Sequence, residues 1–175
     1  MSKISPLAFI DPEAKIGENC EIGPFCFIDK NVEIGDNNVL MNSVSVLYGA
    51  RIGNGNVIFP GAVISAVPQD LKFRGEETTA EVGDNNKIRE NVTINRGTAA
   101  KGKTCVGSGN LLMESVHVAH DAFVGNDCII GNGTKLAGEI IIDDHAIISA
   151  NVLMHQFCRV GGYTMVGGGT RFSQD

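Results

Sequence analysis

Aliphatic side chains recur every six residues along nearly the whole of this chain, and no other feature restricts its possible folds so sharply. Stepping by six from Ile4 reaches Ile10, Ile16, Ile22, Ile28, Ile34, Leu40 and Val46, and the frame runs on to Phe172. Of the 29 positions reached, 25 hold Ile, Leu, Val or Met; the exceptions are Asp70, Glu76, Ala100 and Phe172. Glycine follows the aliphatic residue ten times. The slot four after it tends to be small, as at Cys20, Cys26, Ala50, Cys128, Thr134, Ala146 and Cys158. A helix cannot use such a stripe, because 3.6 residues per turn would smear it around the whole circumference.

A solenoid can use it. Each hexad becomes one short strand plus a turn, three hexads close one triangular coil, and the aliphatic residues stack coil on coil inside. The glycines tolerate the dihedrals of the turns. The expectation is therefore an all-β chain, a left-handed parallel β-helix of the hexapeptide-repeat type, forming a single domain over residues 1–175. Proteins of this type are usually homotrimers. The frame lapses twice, at "SAVPQDLKFRGEETTAE" after Ile64 and at "NRGTAAKGKTC" after Ile94. Both stretches read as loops that leave the coil, at about 66–81 and 96–104. Loops on a rigid scaffold commonly carry function.

The formal charge of -6 argues against nucleic acid as a partner, since no basic patch or stripe is present. No apolar run approaches the length of a membrane-spanning helix, and "MSKISPLAFI" lacks the apolar core of a signal peptide, so neither stable membrane insertion nor secretion is expected. The five cysteines are odd in number and contain no C-x-x-C, which points to reduced, packed thiols in a cytoplasmic protein.

Chemistry concentrates in "NLLMESVHVAHDAFVGNDC", where His117 and His120 lie three apart and Asp121 follows. The coil converts spacing into geometry: positions three hexads apart stack at roughly the ~4.8 Å strand spacing. His120 is thus expected under Gly138, Gly138 under Gln156, and Asp121 under Glu139. His155 falls beside Gln156, His117 on the coil of His120, and His145 on a different face. His120 can act as a base, and Asp121 can orient or charge-stabilise its imidazole. A glycine N–H one coil away is an unshielded oxyanion donor. A base and such a donor together fit acyl transfer, in which a hydroxyl attacks a thioester carbonyl. On spacing alone, satisfied turn histidines are as good a reading. Zinc is the competing chemistry, as in the γ-class carbonic anhydrases, but the third ligand would have to be His145 or His155. No metal is expected.

Several stretches in order resemble the UDP-N-acetylglucosamine O-acyltransferases of lipid A biosynthesis. They are "EIGPFC", "QDLKFRGE", "IRENVTINRGT", "GSGNLLMESVHVAHD", "LAGE" and "HQFCRVG". The resemblance implies transfer of a 3-hydroxyacyl group from acyl-carrier protein to the 3-hydroxyl of the sugar in UDP-N-acetylglucosamine, in the bacterial cytoplasm, with no cofactor beyond the carrier thioester. It implies His120 as general base, Asp121 as its partner and Gly138 as the oxyanion donor. Gln69, Asp70, Lys72, His117, His155 and Gln156 are implied to contact substrate in a cleft between subunits of a homotrimer. Arg159 and Arg171 are candidates for docking the acidic carrier. The sequence departs from the family at Asn95 and Glu139, where relatives often have histidine. It also stops at "GGGTRFSQD", before the C-terminal helical domain that relatives carry, so a catalytically weak scaffold is a further alternative.

Overall fold

The structure is a computed structural model that describes residues 1–173. Its strands are short and all parallel, and they form three sheets of nine, nine and eight strands. The first sheet starts at Lys3–Ile4, the second at Phe9–Ile10 and the third at Lys15–Ile16. Each strand pairs with the strand three further along the chain, so the sheets are the three walls of a prism. This is the expected left-handed parallel β-helix.

The register shows why the six-residue frame survives its two lapses. In unbroken coils the partner lies three hexads on, as in Ile4↔Ile22 and Leu112↔Ile130. Across the first excursion Ile58 pairs with Ile88, a spacing of five hexads; across the second Ile88 pairs with Leu112, a spacing of four. The excursions therefore insert two hexads and one hexad, and neither breaks the frame. Their bounds are slightly tighter than expected, because strands reach Ala66 and Asn95 and resume at Thr79 and Lys103.

Within a hexad each position has its own physics. The first side chain points inward, and Ile28, Ile58, Ile88, Ile94 and Ile130 are completely buried. In most hexads the fourth position takes a left-handed φ, and it is filled most often by Asn or Asp, as at Asn19, Asn31, Asn85, Asp121 and Asn151, the types that tolerate it. At the third position of the regular hexads no described backbone carbonyl accepts the N–H. Four of the five prolines, Pro6, Pro12, Pro24 and Pro60, sit in that slot, where the missing N–H costs nothing. Glycine at the second position of one corner is steric: a Cβ on Gly17 would lie 2.3 Å from Oδ1 of Asp36, which accepts the N–H of Glu18.

The fifth position holds more than small side chains. Asn38, Asn56, Asn86 and Asn110 stack there, fully or almost fully buried. Asn56 and Asn86 donate to the amide oxygen of the asparagine one coil back and to the carbonyls of Gly83 and Gly107. An internal ladder thus satisfies these amides, as burial of polar groups requires. Cys20, Cys26 and Cys128 direct Sγ to the carbonyls of Gly35, Met41 and Asp143. No described helix is long and apolar enough to cross a membrane.

Candidate active site

The second sheet builds the site. Its outward-facing residues Thr93, His117, Lys135 and Leu153 stand in register on successive coils. The turn after each strand turns a corner, and there His120, Gly138 and Gln156 stack as the spacing predicts. A groove of about 400 Å³ runs along this corner, lined by Gln69, Asn95, His117, His120, Gly138 and Gln156.

His120 is 7% exposed, and its Nδ1 lies 2.8 Å from Oδ2 of Asp121. Asp121 itself is buried. The second loop holds it: Thr98 donates its N–H to Oδ1 at 2.9 Å and its hydroxyl to Oδ2 at 2.6 Å. Lys101 adds its N–H at 3.3 Å, and the N–H of Asp121 donates to Oγ1 of Thr104. Burial alone would raise the Asp121 pKa, but the hydrogen bonds from Thr98 and His120 outweigh it and hold the carboxyl below its usual 3.8. An ionised Asp121 assigns the proton of His120 to Nδ1 and leaves the Nε2 lone pair facing the groove.

Gly138 must be glycine for His120 to sit where it does. A Cβ at position 138 would fall 2.6 Å from Cε1 and 2.7 Å from Nε2 of that ring. Its N–H occupies the third slot of its hexad and has no acceptor among the described residues. His117 shares the groove and bonds through Nδ1 to Oγ1 of Thr93 at 2.7 Å. Its pKa is lowered by burial and further by Lys135 and His120, so it is neutral near pH 7.

The first loop closes the other wall. Gln69 lines the groove, and Oδ2 of Asp70 lies 3.9 Å from Nε2 of His120. Asp70 and Lys72 line an adjoining polar pocket of about 180 Å³ with Glu76, Thr98 and Glu139. His155 is exposed beyond Gln156, beside Arg171 and Phe172, where the groove continues. Arg159 is engaged by Asp143 at 2.9 Å. His145 stacks on Tyr163 at another corner, 3.9 Å from Asp127. Among the described residues no three His, Cys, Asp or Glu side chains converge as a metal site would need.

Two departures from the resemblance acquire a setting. Asn95 donates Nδ2 to the carbonyl of Val67 at 2.7 Å, while its buried Oδ1 has no partner among the described residues. Glu139 faces Lys101 at 3.8 Å, so its charge is met by that ammonium and not by an imidazole. Thr98, Lys101 and Thr104 were not among the expected site residues. The available signal was the lengthened coil at the second lapse, which sets residue 96 under His120 and brings the second loop to the same corner.

No family model matches the chain. The chain is 45% identical over 176 aligned positions to the acyl-[acyl-carrier-protein]--UDP-N-acetylglucosamine O-acyltransferase of Aliarcobacter butzleri, across all of this chain and 68% of that protein. Among solved structures it matches the UDP-N-acetylglucosamine acyltransferase of Bacteroides fragilis with a TM-score of 0.96 and 75% identity, covering 98% of this chain and 68% of that one. The Francisella novicida UDP-N-acetylglucosamine acyltransferase also matches at a TM-score of 0.96, with 43% identity, covering 98% of this chain and 63% of its own.

Proposed function

Because this chain belongs to the UDP-N-acetylglucosamine O-acyltransferase family, we propose that the groove beside His120 carries out that transfer, with His120 as its general base. The donor is the acyl thioester of acyl-carrier protein, and the acceptor is the 3-hydroxyl of the sugar in UDP-N-acetylglucosamine. With a 3-hydroxyacyl donor, this is the first step of lipid A biosynthesis.

The geometry supports the following steps. Nε2 of His120 takes the proton of the sugar hydroxyl as its oxygen bonds to the thioester carbonyl carbon. The imidazolium so formed is stabilised by Asp121, which stays ionised throughout. The carbonyl oxygen becomes an oxyanion and accepts the spare N–H of Gly138. Collapse of the intermediate breaks the carbon–sulfur bond, and the imidazolium returns its proton to the departing thiolate. His117, neutral and anchored to Thr93, positions the acceptor. Gln69, Asp70, Lys72, Gln156 and His155 are substrate contacts, with Lys72 suited to an anionic group. Chemistry needs neither metal nor organic cofactor on this reading. The protein works in the bacterial cytoplasm as a homotrimer.

The observation that carries the mechanism is the 2.8 Å His120–Asp121 contact one coil from an unengaged glycine N–H. The test is an assay with UDP-N-acetylglucosamine, 3-hydroxyacyl-acyl-carrier protein and a chelator, scoring O-acylated sugar nucleotide. Product is expected with the chain as given and absent with His120→Ala, which keeps its fold. A normal rate for that variant would overturn the assignment of the base.

A further inference from the structure

The mechanism leaves one buried cation unexplained. Arg96 is only 9% exposed, forms no ion pair among the described residues, and has a buried Nε without an acceptor. Its guanidinium lies between two rings instead, 5.4 Å from the centroid of Tyr48 and 5.2 Å from that of Phe73. Tyr48 belongs to an early coil, whereas Phe73 is at the tip of the first loop.

We infer that Arg96 is a positioning residue that clasps the tip of the first loop to the coil and so sets the distance of Asp70 from His120. Residues 95–97 already grip both ends of that loop. Asn95 donates to the carbonyl of Val67 and the N–H of Arg96 to that of Ala66, where the loop departs. Where it returns, Gly97 donates its N–H to Thr79 and accepts the hydroxyl of Thr78. Among the described residues the tip donates no hydrogen bond to the coil, and Asp70 approaches it only at 3.9 Å from His120. Its hydrogen bonds are internal: Lys72 and Phe73 donate to Asp70, and Arg74 interacts with Leu71, Phe73 and Glu76. Against the coil, the tip is held by the Phe73–Arg96–Tyr48 stack.

The chemistry suits arginine in particular. A flat guanidinium offers both faces to aromatic rings and is more weakly hydrated than an ammonium, so it can be buried without a carboxylate when the ring faces supply the negative potential. A lysine carries a compact charge on one tip and cannot serve two rings this way. The clasp itself is independent of the reaction; its consequence for turnover rests on the acyl-transfer reading above.

The test measures both. Trypsin cleavage after Lys72 and Arg74, followed by mass, reports loop opening in the whole chain without substrate. Arg96→Met is expected to speed cleavage by about thirtyfold, the factor to which a desolvated cation–π contact converts. Phe73→Leu should do the same, the double variant should add nothing further, and Arg96→Lys should recover part of the protection. In the transfer assay KM for the sugar nucleotide should rise by a similar factor, while kcat falls less. His120→Ala should leave the proteolysis untouched. Unchanged cleavage in both single variants, or additive effects in the double, overturns the clasp even if transfer is normal. If Arg96→Met does not fold, Phe73→Leu decides alone. Faster cleavage with no transfer by the unaltered chain would leave the clasp standing and sink the proposed reaction.

Discussion

A methyl group at position 138 would take the space that the His120 ring occupies, which makes Gly138→Ala the sharpest substitution at this scale. The added carbon meets the ring at 2.6 Å, so the imidazole must swing away. Displacement of a base by about 1 Å costs on the order of a hundredfold in rate. The core is untouched, so the thermal midpoint should hardly move while kcat/KM falls by about that factor. Near-normal turnover would mean that His120 does not act from this position. His117 gives a pH prediction of known sign. Its folded pKa lies below the unfolded 6.5, so the unfolded chain binds the extra proton first as acid is added. Its contribution to stability is complete above about pH 6.5 and is lost as pH falls towards the folded pKa. Denaturant melts of the native chain and of His117→Gln should therefore converge between pH 7.5 and 5; a constant gap would refute the lowered pKa.

At the scale of elements the second loop is what makes Asp121 useful. Thr98 supplies two of the donors that keep the carboxylate ionised and fixed. Thr98→Val removes one charge-assisted hydrogen bond, a loss of about 1.5–3 kcal/mol in the stability of that arrangement. Activity should fall by about 10- to 100-fold, the Asp121 pKa should move up, and Thr98→Ser should restore both. A valine variant with full activity would show that His120 orients itself. The coil, by contrast, was readable from the chain, because insertions of two hexads and one hexad preserve the frame. The stack of His120 on Gly138 was readable for the same reason, both lying in unbroken coils. What escaped was whatever depends on the paths of the excursions: Thr98 over Asp121, Arg96 between Tyr48 and Phe73, and Glu139 turned to Lys101. Composition and period describe where a loop leaves, and they carry no register for where its side chains land. The asparagine ladder escaped for a different reason. Asn38, Asn56, Asn86 and Asn110 are polar, and only a closed stack of coils supplies each buried amide with its neighbours.

The three walls of the prism differ, and the difference predicts how whole molecules meet. On the early coils of the third sheet the outward residues Lys15, Glu33, Arg51 and Glu81 alternate in charge, with Lys15 to Glu33 and the flanking Lys103 to Glu81 both at 3.0 Å; on later coils the same wall presents Cys105, Phe123 and Ile141. The charged stretch of that wall suits water. Beyond its first two strands, which carry Lys3 and Glu21, the first sheet presents Val39, Val57, Lys87, Leu111, Ile129, Ile147 and Met165 in register. Ile129 and Ile147 are each more than a third exposed and Met165 is 73% exposed. The apolar run from Leu111 to Met165 is the surface we propose as the interface between copies. Packing of the first sheet of one copy against the second sheet of the next, in the proposed homotrimer, would set a neighbour beside the groove. Sedimentation of the native chain should give three copies. Ile129→Glu combined with Ile147→Glu should release monomers, since two carboxylates would be buried against apolar surface. Glu81→Gln, on the charged wall, should leave the assembly intact. If the groove draws residues from the neighbour, transfer should vanish with the trimer although His120 and Asp121 keep their contact. An active monomer would instead place the whole catalytic apparatus within one chain.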